Sequence, residues 1–596
     1  MRAIVGLVVF NITLLGVGVT ILWGLAAIRS WLDLVRLAGV AYLLGLSIVI
    51  IVLTLELVLG VPVNETTGSL TLLGLAAAGL AFGIGRGHGL PSLRPTDWEL
   101  PRITLFVGVL LAGIVAYFEE LFRGARLAST LPEWDGWAHW IPKAKAIYYF
   151  GGVDPELLTF IPPQSYPPGL PAVHALAFHA MGSADDVTLH LQYWFYAVGF
   201  IAALGGLLAT RVRQTILVSA LLLILLAPSF VTRMTWTYVD LPLGYLVAIA
   251  ALLVILWIEE RHAWQLAAAT VLFAGAMLTK REGMLFAACV LVAAFAASWT
   301  VRRAVWLRLA VAGGICLTLA LPWRIWFTAQ GLPGDGPSAG YLGALSDLGR
   351  GWPTVQLVVE TLFDPEFWFL APLVAAGAIV LAALARAWVI AIYAGAFTGS
   401  AILVGVWTIW SETSLPITQD DAENPVVRMT GTSVLVLCAL IPLLLGRAWS
   451  VGNERGAGAR MPPPGPDAFL WRPLAAWAIV LVPALSLPAS MAVGYSGQAL
   501  PGGWPRFPNT SDCMASPVPG MPVRLVVGYA DSYPEANALR ERAAVAGLPA
   551  TKVTLDGCGR LRVFVDDLPS IASAAPLMAK ARSARLEPSL ESDASG

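Results

Sequence analysis

Apolar runs of about 20 residues recur along most of this chain, and a run of that length crosses a bilayer as a helix. Lipid offers the backbone no hydrogen-bond partner, so a spanning segment must be a helix or part of a closed barrel. The runs are continuous and rich in Leu, Ala and Val, without the alternation of barrel strands. Together with a mean hydropathy of +0.73, they predict an α-helical polytopic membrane protein.

Length and apolarity predict about fourteen transmembrane helices. The segments are 3–28, 37–61, 67–85, 103–118, 187–210, 214–230, 238–258, 263–279, 284–300, 305–327, 367–385, 388–409, 429–446 and 473–494. The first follows Met1 almost directly and shows no small-residue cleavage pattern, so it is interpreted as a retained helix.

The connections between these segments alternate between two sets that differ in arginine content. One set is short and arginine-rich, with Arg211, Arg302 and Arg386 as examples, and the positive-inside rule places it in the cytoplasm. The other set, which includes the long loop 119–186, then lies outside. The net charge of −1 gives no indication of a nucleic-acid partner. Alanine- and arginine-rich usage indicates a GC-rich bacterium, so the predicted location is the bacterial cytoplasmic (inner) membrane with an extracytoplasmic active face.

An acidic and aromatic cluster, Glu133–Trp140, stands in the first long outer loop, just after a predicted span. Asp135 lies between Trp134 and Trp137, and tryptophans at a membrane interface anchor the chain at a fixed depth. A carboxylate held among indoles at the membrane surface favours chemistry on an amphiphilic substrate.

Asp135, His139 and Lys143 follow one another at i, i+4 and i+8, which places them on one face of a helix. Such a face offers a base and two cationic or proton-sharing partners. The alternative is an interfacial helix over 138–150 whose polar side only faces water. The proline-rich stretch 162–171 that follows predicts a stiff, extended connection.

A second charged cluster, with Arg233, Tyr238 and Asp240, lies at the outer mouth of a predicted span. An unpaired carboxylate at the edge of hydrocarbon is costly, so Asp240 is interpreted as functional or paired. Capping of the helix N-terminus would also account for an aspartate at this position.

A third cluster, Lys280, Arg281 and Glu282, occupies a very short outer turn between two apolar segments. Positive charge on this side opposes the general bias, and the two cations suit a phosphate group. The alternative is a hairpin tip whose exposed charges compensate one another. Arg324, one turn inside the outer end of its span, is a further phosphate candidate because an intramembrane charge is costly.

Four motifs in these clusters resemble the GT-C membrane glycosyltransferases, including the family 39-like bacterial enzymes related to protein mannosyltransferases. The motifs are Trp134-Asp135-Gly136-Trp137 followed by Trp140 and Lys143-Ala144-Lys145-Ala146, then Tyr166-Pro167-Pro168-Gly169-Leu170-Pro171, Tyr238-Val239-Asp240-Leu241-Pro242-Leu243 and Thr279-Lys280-Arg281-Glu282-Gly283. They occur in the family's order between residues 105 and 330. Three spans precede the one that leads into the loop, where simpler relatives have none, and Arg281 stands where Asn or Pro is expected.

The resemblance implies transfer of a sugar from a polyprenyl-phosphate donor to an outer glycan, lipid or protein acceptor by inversion, with Asp135 as the catalytic base and Asp240 as the second acidic residue. Lys280, Arg281 or Arg324 would stabilise the departing phosphate. Asp240 and His139 would orient the acceptor or, if the enzyme uses a divalent metal such as Mg²⁺ or Mn²⁺, help to hold it. The predicted substrate-binding residues are Trp134, Trp137, His139, Lys143, Tyr166, Arg233, Tyr238, Lys280, Arg281, Glu282 and Arg324.

Two other functions compete with this interpretation. A transporter or flippase for a glycolipid would also carry intramembrane charges, and Asp240 and Arg324 could serve it equally. Transporters favour paired halves with charges near the midplane, whereas these charges gather at one predicted face. A scaffold anchored in the membrane is the third alternative, and the number of spans exceeds what anchoring requires.

The chain is expected to divide into four regions. These are N-terminal transmembrane helices (1–102), a GT-C-like catalytic module (103–330), C-terminal transmembrane helices (331–495) and an extracytoplasmic linker with a small α/β domain (496–596). A βαββα order in the last region predicts a ferredoxin-like domain, and that order resembles the SPOR-type domains that bind cell-wall glycan. Cys513 and Cys558 could form a disulfide in an oxidising compartment, although no spacing fixes their distance.

Overall fold

The computed structural model describes residues 2–89, 91, 103–127, 133–159, 161, 163–299, 303–332, 334, 348–411, 425–456, 481, 522–530, 533–555 and 561–592. Up to residue 456, the regular secondary structure of the described residues is all helical. The helices are α1 (Arg2–Gly24), α2 (Trp31–Val58), α3 (Glu65–Gly85), α4 (Leu105–Leu127), α5 (Ile141–Phe150), α6 (Pro155–Thr159), α7 (Gly169–Met181), α8 (His190–Leu208), α9 (Gln214–Leu225), α10 (Pro228–Arg233), α11 (Asp240–Glu260), α12 (Ala263–Thr279), α13 (Glu282–Ala297), α14 (Arg303–Ala329), α15 (Gly351–Phe363), α16 (Pro365–Trp368), α17 (Ala371–Leu384), α18 (Trp388–Ser411) and α19 (Pro425–Gly456).

Nine helices of the described ranges are long and apolar enough to cross a membrane, namely α1, α2, α3, α4, α8, α11, α14, α18 and α19. A tenth span results if the segment Leu348–Trp368 and α17, which meet at a bend of 112°, count as one. The apolar helices α9, α12 and α13 are shorter, with 12, 17 and 16 residues. The prediction of a helical membrane protein is thus confirmed. The number fourteen stays a prediction, and its last segment, 473–494, lies almost wholly outside the described residues.

The first long loop begins later than the sequence predicts. α4 continues to Leu127, nine residues beyond the predicted end of its span at 118. Glu119 pairs with Arg123 at 2.5 Å, one helical turn away. Charged residues at i and i+4 stabilise a helix, so a change in polarity after residue 118 does not end it. The helix thus continues into the predicted loop, and the position at which the chain leaves the membrane stays a prediction.

α11 lies at the centre of the bundle and is buried from Asp240 to Ile258. It packs against α8, α12, α13 and α19. Its sequence is apolar on every face, which suits a membrane span as well as a protein interior, and in the structure the neighbouring helices cover it on all sides. Because Asp240 is its first residue, this carboxylate stands at one end of the most enclosed helix in the bundle.

Ion pairs mark both ends of α11. At the carboxyl end, Arg211 bonds Glu260 and Arg447 bonds Glu259, each at 2.5 Å. At the amino end, Asp240 bonds two other cations. Arg211 and Arg447 belong to the arginine-rich connections, so the two predicted sets lie at opposite ends of this helix. Which end faces the cytoplasm stays a prediction of the positive-inside rule.

Close backbone contacts and polar side chains join the N-terminal helices to the rest of the bundle. A Cβ atom at Gly18 would lie 1.7 Å from the carbonyl oxygen of Ala41, so only glycine lets α1 and α2 approach this closely. Asn11 and Gln192 exchange two hydrogen bonds of 2.8 Å, and Tyr42 donates to Asn11 at 2.6 Å. One hydrophobic core runs across the predicted boundaries at 102 and 330, which stay predictions of functional regions.

The described C-terminal residues form a separate α/β unit with its own core. Its elements are β1 (Val523–Ala530), α20 (Tyr533–Val545), β2 (Lys552–Leu555), β3 (Leu561–Leu568), α21 (Ile571–Ser583) and β4 (Ser589–Ser592). The sheet has the order β2-β3-β1-β4, and every neighbouring pair is antiparallel. The fourth strand extends the predicted βαββα order, and the ferredoxin-like and SPOR-like assignments stay predictions.

Candidate functional site

The acidic segment after α4 is fixed by Glu133, whose side chain is buried. Its Oε1 accepts hydrogen bonds from His190 Nε2 at 2.9 Å and from the Thr237 backbone N–H and hydroxyl at 2.8 and 3.0 Å. Burial alone would raise the pKa of Glu133, but the charge and hydrogen bond of His190 and the Thr237 bond lower it below its ordinary value. A Cβ atom at Gly136 would lie 2.2 Å from Thr237 Oγ1, which explains the glycine in this motif.

Glu133→Gln is expected to lower the unfolding free energy at pH 7 by about 2 kcal/mol, because hydrogen bonds to a charged group become neutral ones. The pKa of Glu133 is lowered by folding, so its contribution is present above its ordinary pKa and is lost as the pH falls through the folded-state value. The difference between variant and wild type should therefore shrink at acidic pH. Denaturant titration in mixed micelles at pH 5 and pH 2.5 measures it. The exposed Glu156→Gln is the control, and an equal difference at both pH values would contradict the assignment.

Asp135 begins a π-helical turn, Gly136–Trp140, that leads into α5. Its backbone N–H donates to the Tyr238 hydroxyl at 3.3 Å. Its Oδ2 accepts a short hydrogen bond from Nη2 of Arg428, at the start of α19. Its Oδ1 faces Nε2 of His139 at 4.0 Å. Only 13% of its side chain is exposed. Asp135 is thus a nearly buried carboxylate, held on one side by a guanidinium and facing an imidazole on the other.

Asp240 is bonded by cations through both of its oxygens. Lys280 Nζ donates to Oδ1 at 2.8 Å, and Arg428 donates to Oδ2 from Nη2 at 2.7 Å and from Nε at 3.1 Å. The Arg428 guanidinium also lies 4.8 Å from the centre of the Tyr238 ring. Because one Nη2 contacts both carboxylates, Arg428 joins Asp135 to Asp240.

The turn between α12 and α13 closes the other side of the site. Tyr166 donates from its hydroxyl to Glu282 Oε1 at 3.0 Å, and its ring stacks on Trp140 with centroids 5.4 Å apart. The cationic groups of Lys280 and Arg281 lie 5.4 and 5.0 Å from the centre of the same ring. The proline-rich segment that carries Tyr166 is therefore tied to the lysine motif predicted from the sequence.

These elements enclose a cavity of about 410 Å³, termed the polar cavity. Its ionisable lining residues are Asp135, His139, Tyr166, Asp240, Lys280, Arg281, Glu282 and Arg428. Among the described lining residues, the aspartates and the glutamate carry three formal negative charges, which the lysine and the arginines balance with three positive ones. A reacting group in this cavity would therefore meet a carboxylate and several cations at once.

The protonation states in the polar cavity follow from burial and from neighbouring charges. Burial lowers the pKa of His139, and Lys143 and Arg428 add to this against the opposite effect of Asp135, so the imidazole is neutral at pH 7. Burial alone would lower the pKa of Lys280, but Asp240 and the neighbouring Glu282 outweigh it and raise the pKa above its ordinary value. Lys280 therefore carries a firm positive charge.

Several predicted binding residues do not line the polar cavity. Arg233 is buried, donates to the Ser229 carbonyl at 2.9 Å and faces the Trp368 ring, so it packs α10 against α16. Trp134 and Trp137 form an edge-to-face pair and are 54% and 37% exposed. Tyr238 does not line the cavity itself, but its ring packs against the lining residue Arg428. Arg324, on α14, is also outside the lining.

The prediction that Asp135, His139 and Lys143 share one face is correct for the first two residues and wrong for Lys143. Asp135 and His139 line the polar cavity, whereas Lys143 donates to the Pro163 carbonyl and lines a small neighbouring pocket. Lys143 is buried, and Lys145 forms an ion pair of 3.2 Å with Asp186 in which both side chains are 2% exposed. The alternative in which the lysines of this helix face water is therefore wrong.

Arg428 is an ionisable lining residue of the polar cavity that the sequence interpretation missed. It lies at the head of a predicted span, on the side where arginine opposes the general bias. The same signal singled out Lys280 and Arg281, so it could have found Arg428 as well. The disulfide candidates Cys513 and Cys558 lie outside the described residues.

An apolar slot of about 350 Å³ lies along α12, α13 and α14. Its lining runs from Met277 and Met284 down to Ala294 on α13, a distance of about 15 Å at 1.5 Å per residue. Met284 and Leu317 are exposed, so the slot opens on the outer surface of the bundle. Met277 lies one helical turn before Lys280. The end of the slot at Met277 is therefore three residues from Lys280 along the chain.

No protein-family model matches this sequence, and neither a curated protein nor a solved structure is significantly similar to it.

Proposed function

We propose that this protein is a membrane glycosyltransferase that moves a sugar from a polyprenyl-phosphate donor to an extracytoplasmic acceptor. The observation that carries the proposal is the polar cavity, in which Asp135, whose Oδ1 has His139 as its neighbour, lines the same space as Lys280 and Arg281. Sugar transfer from a lipid phosphate needs these two functions together, a base for the acceptor and cations for the leaving group.

Asp135 would act as the general base. The acceptor hydroxyl oxygen attacks the anomeric carbon, and its proton passes to Oδ1 of Asp135, the oxygen that Arg428 does not contact. The bond between the anomeric carbon and the phosphate oxygen breaks on the opposite face, so the configuration at the anomeric carbon inverts. The bonding electrons leave with the polyprenyl phosphate.

Lys280 and Arg281 would stabilise that leaving phosphate. Negative charge grows on its oxygens as the bond breaks, and fixed cations in a cavity screened from bulk water are most effective at that stage. Lys280 is held by Asp240 and faces the Tyr166 ring together with Arg281, so both cations are positioned before the substrate binds.

The apolar slot supports a lipid-linked donor. An amphiphile with its chain between α13 and α14 would bring its head group to the turn that carries Lys280 and Arg281. The slot opens on the outer surface of the bundle, which faces lipid in a membrane protein, so the donor would enter sideways from the bilayer.

Gly314→Leu should raise the KM for a long-chain donor about tenfold, equivalent to two buried methylenes at about 0.8 kcal/mol each. A Cβ atom at Gly314 meets open space, so the leucine fills the slot without disturbing the helix packing. The KM for a short-chain, water-soluble donor should not change. Gly377→Leu on α17, also in open space, is the matched control. An equal effect on both donors would exclude the slot as the chain site.

The proposed location is a bacterial cytoplasmic membrane, with the polar cavity and the C-terminal unit on the extracytoplasmic side. The positive-inside rule supports this orientation, because Arg211 and Arg447 lie at the opposite end of α11 from Asp240. Glycan, lipid and protein are all acceptor classes in this proposal, and the SPOR-like element order favours a cell-wall glycan.

The experiment that tests the function uses the purified full chain with radiolabelled polyprenyl-phosphate sugars and extracted acceptors. Label should pass to the acceptor as free polyprenyl phosphate accumulates. Movement of intact donor between leaflets of proteoliposomes, without glycosidic product, would instead establish the flippase alternative.

A further inference from the structure

We infer that Arg428 takes the place of a divalent metal between Asp135 and Asp240, so that the two carboxylates work together without Mg²⁺ or Mn²⁺. The contact pattern stands independently of the reaction, whereas its meaning for turnover rests on the proposed glycosyl transfer.

Arg428 contacts both carboxylates through a single nitrogen atom. Its Nη2 donates to Asp135 Oδ2 and, at 2.7 Å, to Asp240 Oδ2. Two carboxylates that share one small site repel each other unless a cation lies between them. The guanidinium provides that cation from α19, which brings together two chain segments that are far apart in the sequence.

A divalent cation does not fit the oxygens that remain. Mg²⁺ requires near-octahedral oxygen ligands, and both oxygens of Asp240 already accept from Lys280 or Arg428. Asp135 retains Oδ1, which has His139 Nε2 as its neighbour at 4.0 Å. Within the described ranges, no group of three His, Cys, Asp or Glu side chains is arranged to hold a metal. A metal between Asp135 and Asp240 would therefore have to displace an arginine or a lysine.

Charge balance leads to the same conclusion. The described lining of the polar cavity carries three carboxylates against three cations. A divalent ion would add two positive charges next to a guanidinium that is 12% exposed, and like charges in a poorly solvated site repel strongly. Without the ion the charges of these described residues sum to zero, and the cavity accepts the single negative charge of a phosphodiester.

The Arg428 guanidinium also packs against an aromatic ring. It lies over the Tyr238 ring, and the hydroxyl of that ring accepts from the backbone N–H of Asp135. Tyr238 thus positions both the bridging cation and the carboxylate it bridges. Arg428 is therefore a positioning residue that acts through Asp135 and Asp240.

The test measures Mn²⁺ binding by electron paramagnetic resonance on the full-length protein in detergent, after treatment with EDTA. We expect Arg428→Ala to bind Mn²⁺ at least tenfold more tightly than wild type, because the variant exposes two carboxylates without their bridging cation. The double variant with Asp135→Asn should lose that binding. Arg447→Ala, which removes a paired arginine from the other end of the same helix, is the control and should behave as wild type.

Turnover provides the second measurement. Wild-type sugar transfer should be unchanged by EDTA, and Arg428→Lys should keep EDTA-insensitive transfer at a reduced rate. The inference is overturned if wild type binds Mn²⁺ as tightly as Arg428→Ala, or if EDTA abolishes wild-type transfer and Mg²⁺ or Mn²⁺ restores it. If Arg428→Ala does not fold, Arg428→Lys and wild type still decide between these results. If no variant transfers sugar, the proposed function fails, and the Mn²⁺ measurements still decide the role of Arg428.

Discussion

Asp135→Asn is expected to reduce sugar transfer about 10³-fold, within the range for loss of a general base. Asparagine has the shape of aspartate and can still accept from Arg428, so the cavity should keep its form. The affinity for the donor should change little, because the proposed base acts on the acceptor proton. Single-turnover transfer and equilibrium donor binding, measured on the same preparation, separate the two quantities.

The control for this variant is Glu120→Gln, which removes a carboxylate from the neighbouring end of α4 where 79% of the side chain is exposed. Its transfer rate should equal that of wild type. If Asp135→Asn keeps more than a tenth of wild-type transfer, Asp135 is not the base. If donor binding falls in parallel with transfer, the carboxylate mainly shapes the cavity.

Lys280→Met is expected to reduce kcat about 10²-fold, the loss that follows removal of one fixed charge from a developing anion. Methionine keeps much of the length and apolar character of the lysine stem. The variant removes the ammonium group that contacts Asp240 at 2.8 Å and Glu282 at 3.5 Å. Steady-state kinetics with the labelled donor measure the loss, and Arg308→Met on α14 is the control.

A double variant with Asp240→Asn distinguishes two explanations for that loss. If Lys280 only holds Asp240 in place, the double variant should lose no more activity than Lys280→Met alone. If Lys280 also stabilises the leaving phosphate, the losses should multiply. A Lys280→Met variant with unchanged kcat would exclude both roles.

The sequence singled out four residues, from separate motifs, that the structure brings together. Asp135, Asp240, Lys280 and Tyr166 were each singled out by local cost or motif, and all four line one cavity. Arg428 comes 188 residues after its partner Asp240, and a contact at that separation cannot be predicted from local periodicity in the sequence. A topology that brings α19 against α11 is needed to place it.

Lys143 shows a different limit of sequence reasoning. The i, i+4, i+8 spacing assumes an uninterrupted α-helix, but the π-helical turn Gly136–Trp140 stands between Asp135 and Lys143. One extra residue in a turn rotates everything after it by about 100° relative to the residues before it. His139 lies within the turn and keeps its side of the helix, whereas Lys143 is turned toward Pro163.

The complete enclosure of α11 also bears on how the protein responds to membranes of different thickness. Mismatch between a helix and the surrounding lipid is absorbed by tilting and by deformation at lipid-exposed surfaces. α1, α3 and α14 present much of their length outward, whereas α11 is covered by protein throughout. A thinner or thicker bilayer would therefore tilt the peripheral helices. The position of Asp240 would be set by the helices packed around α11 and not by the bilayer thickness.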